Sequence, residues 1–194
     1  MTEKTDRNLM DTWLAGESGA FETLIRRHGA AVLGYLVKMT HNQDHAEDLF
    51  QETFQKVHQY AGSFKGNDLR PWLLTIAART AVGQWRKEKK HAALSLSACG
   101  DGHNCPTLEQ TLASHEPGPP EHLQQNEHRR QVRATLNRLP ARQRAALVLS
   151  YYHKLTYQQI AESLDCSVGT VKTHIFRALK KMAVLLPDPA GGVE

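Results

Sequence analysis

Residues 91–128 contain no lysine or arginine, hold five acids, and include Cys99-Gly-Asp-Gly, Pro106 and the cluster Pro117-Gly-Pro-Pro120. Such punctuation disfavours one long helix, and no strand alternation replaces it, so the segment reads as a linker. The chain is thereby limited to two small units instead of one large core. An N-terminal unit covers 1–91, the flexible acidic linker 92–127, a C-terminal unit 128–186 and a tail 187–194. A length of 194 residues accommodates both units.

Both units read as helical, which makes the fold class all-α. From Phe21 to Met39 the apolar residues keep helical spacing. Between Asp44 and Tyr60 the pattern is sharper: Ala46, Leu49, Phe50, Thr53, Phe54 and Val57 share one face. The other face carries Asp44, Glu47, Asp48, Gln51, Glu52 and Gln55, with Asn42 or Asp44 placed to cap the start. A third helix spans Asp68 to about Lys89, with Pro71 in its first turn, where a missing N–H costs little. Leu69, Leu73, Ile76 and Thr80 form one of its stripes, and Ala78, Val82 and Trp85 a second.

In the C-terminal unit one helix spans Glu127 to Leu139, and Pro140 opens another through Tyr152. Thr156-x-x-Gln159 is a capping box for a short helix, Tyr157 to Leu164. After Asp165-Cys166-Ser167 a further helix begins, with Ser167 as N-cap. Its inward residues are Val171, Ile175, Ala178, Leu179 and Met182; its outward ones include Thr170, Lys172, Thr173, His174, Arg177, Lys180 and Lys181.

The formal net charge of +4 conceals segregation. Residues 1–63 are net −3, 64–90 net +5, 91–128 net −5, 129–181 net +9 and the tail −2. A basic face attracts a polyanion by releasing its counterions. Either basic block alone fits a solvated helix face equally well.

A short helix, a tight turn and a second helix with a cationic outer face make the helix-turn-helix layout. Lys, Thr, His and Arg one turn apart can reach base edges in a major groove, and a helix N-terminus can meet phosphate. On the Asp68–Lys89 helix, Trp72, Trp85, Arg79, Arg86 and Lys87 combine aromatics with cations, a mixture suited to single-stranded DNA. Large aromatics in a small domain more often anchor its core, which is the expectation for both tryptophans.

The segment Leu139–Met182 resembles region 4 of sigma-70 family factors, above all the extracytoplasmic-function (ECF) group. The matching residues are Leu139-Pro140, Arg144, Ile160-Ala161, Leu164, Ser167, Gly169-Thr170-Val171-Lys172 and Arg177-Ala178. Ala46–Tyr60 resembles region 2.2 and Leu69–Lys90 resembles regions 2.3–2.4, in the order that family keeps, with no room for a region 3. The resemblance implies a transcription initiation factor that binds core RNA polymerase and directs it to promoters. It implies docking of Asp44, Glu47, Asp48, Gln51 and Glu52 on the β′ clamp helices of the polymerase, with the β flap as a further part of that partner. Reading of the −10 element falls to Trp72, Arg79, Thr80, Gln84, Arg86 and Lys87. Reading of the −35 element falls to Ser167, Thr170, Lys172, Thr173, His174, Arg177 and Lys181. An anti-sigma factor is a further implied partner. The chain departs from the usual pattern at Ala78, Arg79, Gly83 and His174, where sequence preference is set.

Cys99, His103 and Cys105 place two thiols and an imidazole within seven residues, with His91 and His115 near. These are zinc-type ligands at a spacing that is no standard structural pattern, so the expectation is no bound metal and no cofactor. Cys166 reads as a small buried residue in the turn, and His28, His41, His45, His58 and His153 as surface or boundary residues. Three cysteines cannot close a disulfide framework, which fits a reducing, cytoplasmic setting. The N-terminus lacks the apolar run of a secretory signal, and no segment approaches the roughly 18 apolar residues of a membrane span. No phosphate loop, catalytic carboxylate pair or nucleophile elbow is present, so neither an enzyme nor a small-molecule substrate is expected. Two alternatives stay open: a stand-alone helix-turn-helix regulator, and a metal- or thiol-responsive regulator acting through the linker.

Overall fold

A computed structural model describes residues 4–98 and 120–186. Among the described residues there are eight α-helices, one 3-10 turn and no strand. The Cys99, His103 and Cys105 group lies outside the described residues.

The N-terminal domain comprises α1 (Asp6–Leu14), α2 (Ser18–Thr40), α3 (Gln43–Tyr60) and α4 (Leu69–Ala98). The caps follow local chemistry. Thr5 Oγ1 accepts the Asn8 amide at 3.3 Å, and Asn42 Oδ1 accepts the His45 amide at 3.2 Å, which settles the cap of α3. Between those helices His41 takes a left-handed conformation, φ 58°, that ends α2 and turns the chain. The turn Ala61–Ser63 and the loop to Asp68 lead into α4. This helix continues past Lys89 because Ala92, Ala93 and Leu94 are good helix formers and the next glycine is Gly100.

The C-terminal domain comprises α5 (Pro120–Asn137), α6 (Ala141–Tyr151), α7 (Tyr157–Leu164) and α8 (Val168–Leu185). Thr156 and Gln159 form the reciprocal capping box at α7, and Ser167 Oγ accepts the Thr170 amide at 3.1 Å at the start of α8. Asp165, φ 50°, closes α7 in the left-handed conformation and sets the tight turn into α8. Each such cap is worth about 1 kcal/mol.

Packing follows the apolar stripes. Val32, Tyr35, Leu36, Val57, Leu69, Leu73 and Leu74 fill the N-terminal core, and Val148, Leu149, Ile160 and Val171 the C-terminal one. Fully burying a Leu, Ile or Val contributes about 1.5–3 kcal/mol relative to leaving it exposed. The two cores meet: α6 and α7 lie against α2 and α4, and their buried residues belong to one continuous apolar cluster. Leu136, Leu139, Leu147 and Ala178 form a small second cluster under α5 and α8.

Four expectations need correcting. Leu179, expected inward on α8, is 53% exposed, because the buried stripe runs through Val171, Ile175 and Ala178 and leaves Leu179 at its edge. Trp85, expected in the core, is 41% exposed on the rim of a groove between the domains. Cys166 is only half-buried. His28 is buried instead of at the surface, because Asp6 Oδ2 bonds its Nε2 at 2.8 Å. Among the described residues no helix is long and apolar enough to cross a membrane.

Candidate nucleic-acid interface

Three surfaces gather the residues singled out by sequence. The first is the outer face of α3. Asp44, Glu47, Asp48 and Gln51 are exposed there, while Glu52 is half-buried and bound to Lys56 Nζ at 2.7 Å. Gln43 donates to Glu47 Oε1 at 2.9 Å. Four carboxylates and an amide on one face present concentrated negative potential, suited to a basic partner.

The second surface is a groove of about 930 Å³ between the end of α3, the loop 61–68 and the first turns of α4. Trp72 is half-buried along it, its ring tilted against Phe64 with centroids 5.6 Å apart. Arg79 is exposed on its wall. Thr80 also lines the groove, but it is only 3% exposed and accepts a hydrogen bond from Lys56 Nζ at 3.1 Å, so little of it is open to a ligand. Further along α4, Gln84 donates to Glu88 at 3.2 Å, and Arg86 and Lys87 are exposed. These two cations lie beyond the groove, so the structure brings Trp72 and Arg79 together and leaves Arg86 and Lys87 apart. Sequence reasoning missed Lys56, Tyr60 and Lys65, which also line the groove. The one signal for them was cationic and aromatic residues beside the Gly66-Asn67-Asp68 turn. Aromatic surface beside cations is what unpaired bases and their phosphates require.

The third surface is α8. Lys172, Thr173, Arg177 and Lys181 are exposed, and Thr170 and His174 are half-buried. Two of these already have backbone partners: Thr173 Oγ1 donates to the Gly169 carbonyl at 3.0 Å, and Lys181 Nζ to the Arg138 carbonyl at 2.7 Å. Lys181 thereby satisfies an orphan acceptor beyond the end of α5, while Lys172 and Arg177 point their charges outward. Ser167 and Thr170 share a hydroxyl contact of 2.9 Å in the first turn. Burial, then the cations Arg142 and Arg177, hold His174 below the usual histidine range, so its ring is neutral at pH 7.

A different group of side chains occupies the seam between the domains. Arg144 donates to the Met39 carbonyl across the seam, and to the Asn137 and Leu139 carbonyls of its own domain at 2.8 and 3.2 Å. The Tyr35 and His153 rings meet edge to face at 5.8 Å, and Lys38 Nζ lies 4.7 Å from the centre of the Tyr152 ring. Burial and nearby cations pull His41 and His153 each down to about 4. Tyr35 Oη, Arg144 Nε, His41 Nε2 and both His153 ring nitrogens are buried without a protein partner. A buried polar atom left unpaired costs about 1–3 kcal/mol.

Comparison with known proteins agrees with this geometry. The family described as Sigma-70 region 2 matches residues 24–91, and Sigma-70, region 4 matches residues 129–182. The chain is 30% identical over 180 residues to the RNA polymerase sigma-H factor of Pseudomonas aeruginosa, covering 92% of each protein. It is 33% identical over 180 residues to the ECF RNA polymerase sigma-E factor of Escherichia coli, covering 90% of each. Among solved structures, the sigma factor RpoE in complex with the anti-sigma factor NepR, from Bartonella quintana, shares this fold. Its TM-score is 0.62 at 24% identity, over 85% of this chain and 95% of that one. CnrH in complex with the cytosolic domain of CnrY gives a TM-score of 0.62 at 22% identity, over 94% and 97%. With its two matched regions in order and relatives alike over nine-tenths of their length, the chain belongs to the sigma-70 family and, within it, to the ECF sigma factors.

Proposed function

We propose that the chain docks on core RNA polymerase through α3 and confers promoter choice through two DNA-reading surfaces. The groove at α4 takes unpaired −10 bases, with Trp72 beside them and Arg79, Lys56 and Lys65 along the phosphates. Arg86 and Lys87 extend the cationic track along α4. The exposed face of α8 enters the major groove at −35, where Lys172 and Arg177 meet phosphate or guanine and Thr170, Thr173 and a neutral His174 complete the reading. The domain bounds 1–91 and 128–186 belong to this reading, as does a cytoplasmic site of action. The chain has no chemistry of its own and supplies only binding and selection.

The observation that carries the reading is the arrangement of three charge-matched surfaces on one chain. A stand-alone regulator would need only α8, and would leave the acidic face of α3 and the basic groove at α4 without a purpose. The complex of a fold relative with an anti-sigma factor supports a similar partner here. Charge reversal tests the docking face: Asp48→Lys with Glu47→Lys should weaken binding to core polymerase by about tenfold or more. Circular dichroism should not change, since both side chains are exposed. Unchanged polymerase affinity would remove α3 from the proposal.

A further inference from the structure

A further groove, of about 820 Å³, lies between α2, α5, α6 and α8 and shares no residue with the surfaces assigned to polymerase or DNA. Its volume is that of a small-molecule site. Along it Val132, Leu147, Leu179 and Met182 supply aliphatic surface, and Leu179 is 53% exposed although apolar. Its polar side carries Lys38 from α2, His41 at the end of that helix, and Arg129 and Arg133 from α5. Among the described residues no carboxylate lines it. Lys38 Nζ has the Gly34 carbonyl at 3.1 Å and the Tyr152 ring at 4.7 Å, neither of them an anion. Burial, then Arg133, pull the Lys38 ammonium below the usual lysine range, and burial, Arg144 and Arg133 pull His41 down to about 4. Cations from two domains thus face each other beside an aliphatic floor. Like charges held this close repel, and an anion between them turns the repulsion into charge-assisted contacts.

We propose that this groove binds a small anionic amphiphile of the fatty-acid class, with its carboxylate between Lys38 and Arg133 and its chain along Val132, Leu179 and Met182. The lining favours a hydrocarbon chain over a nucleotide. Asn137 is the single side-chain amide along the groove among the described residues, too little to read a nucleobase. Tyr152 is already covered by Lys38, and the rest of the apolar lining besides Tyr151 is aliphatic. Lys38 belongs to the N-terminal domain and Arg133 to the C-terminal one, so one bound anion bridges the two. Such a ligand stabilises the arrangement it binds, to a degree set by its concentration relative to its Kd.

Dodecanoate, titrated into the full chain below its micelle concentration and followed by calorimetry, tests this. It should bind saturably at one site per chain and raise the urea midpoint of unfolding. Dodecyltrimethylammonium has the same chain with the opposite head charge, and acetate has the head without the chain. Each should bind at least about tenfold more weakly. Arg133→Gln and Leu179→Gln, both at exposed positions, should each weaken dodecanoate binding about three- to tenfold without changing circular dichroism. Lys38→Gln should do the same from the other domain. Because Lys38 is half-buried, a dodecanoate with a photoreactive group at its chain end checks the placement without any substitution. It should label groove residues of α5 or α8. Absence of saturable binding, equal binding of the cationic analogue, unchanged affinity in Arg133→Gln and Leu179→Gln, or labelling elsewhere overturns the proposal. Binding only above the micelle concentration, or only to vesicles of anionic phospholipid, overturns it as well, since attraction to a charged surface would then suffice. None of these readouts uses transcription, so failure of the assigned function leaves them intact.

Discussion

Arg79 and Glu162 stand 83 residues apart in sequence, yet the guanidinium of the first donates to the main-chain carbonyl of the second at 2.7 Å. The bond links α4, the helix assigned to −10 DNA, with α7, the first helix of the helix-turn-helix. A carbonyl acceptor is satisfied in many ways, whereas a phosphate gains from a cation in particular. The contact is therefore one that DNA can replace.

Arg79→Ala removes the guanidinium that the proposed reading sets against phosphate. Binding of a single-stranded −10 oligonucleotide to the polymerase complex should weaken about three- to tenfold. Its salt dependence should become shallower by roughly 0.7 in log–log slope, the value for one phosphate on a single strand. Titration at several salt concentrations measures both, and an unchanged slope would exclude Arg79 from the phosphate track.

The packing of the two domains on each other should depend on pH through His41 and His153. Burial first, then Arg144 and Arg133 around His41, and Arg70 and Lys38 around His153, pull each ring down to about 4. Tyr35 faces His153 and adds no acceptor. In an opened chain both return toward about 6.5, so the open form binds their protons more readily. That packing is then strongest above about pH 6.5 and weakens progressively as pH falls toward 4. Energy transfer between a fluorophore on each domain, followed from pH 7.5 to 4.5, measures this, and His153→Gln should flatten the profile. A signal constant across that range would contradict it.

Local features of this fold were legible in the sequence, and long-range ones were not. Thr156 with Gln159, Asn42 before α3 and Ser167 before α8 act on amides within three residues, so spacing alone reveals them. His28 was misplaced because its partner Asp6 lies 22 residues away. Leu179 and Trp85 were misplaced because periodicity marks an apolar stripe without saying where its edge falls. The acidic face of α3 and the basic face of α8 were readable from helical spacing. The groove beside Lys56, Tyr60 and Lys65 was not, since it exists only where α3, a loop and α4 converge. The seam through Arg144 and Met39, 105 residues apart, leaves no periodic trace at all.

Asp6 fastens α1 to α2, and its loss should be felt in stability alone. Burial pushes its carboxyl up, but Arg27 at 2.6 Å and His28 at 2.8 Å outweigh that and hold it below the usual aspartate range. Its stabilisation is present above the unfolded value of about 3.9 and fades as pH falls through the lower folded value. Asp6→Asn should cost about 1–2 kcal/mol in urea unfolding at pH 7, allowing for partial solvent screening. The cost should shrink below about pH 4, and a constant cost would assign it to packing instead of charge.

Promoter preference should follow α8. Arg177→Ala and His174→Ala should each shift the favoured −35 sequence in a promoter library, by about 1–3 kcal/mol at the base they read. His174 is held neutral, so its contribution should not change between pH 7 and 8. Identical preference in both variants would remove them from base reading.

The most direct measurement is reconstitution of the purified chain with core RNA polymerase on a library of promoter fragments. The account predicts transcripts from discrete start sites that require the chain and share −10 and −35 sequences, and that disappear when the α3 carboxylates are reversed. Sequence-specific binding to duplex DNA by the chain alone, with no chain-dependent transcripts from polymerase, would contradict it.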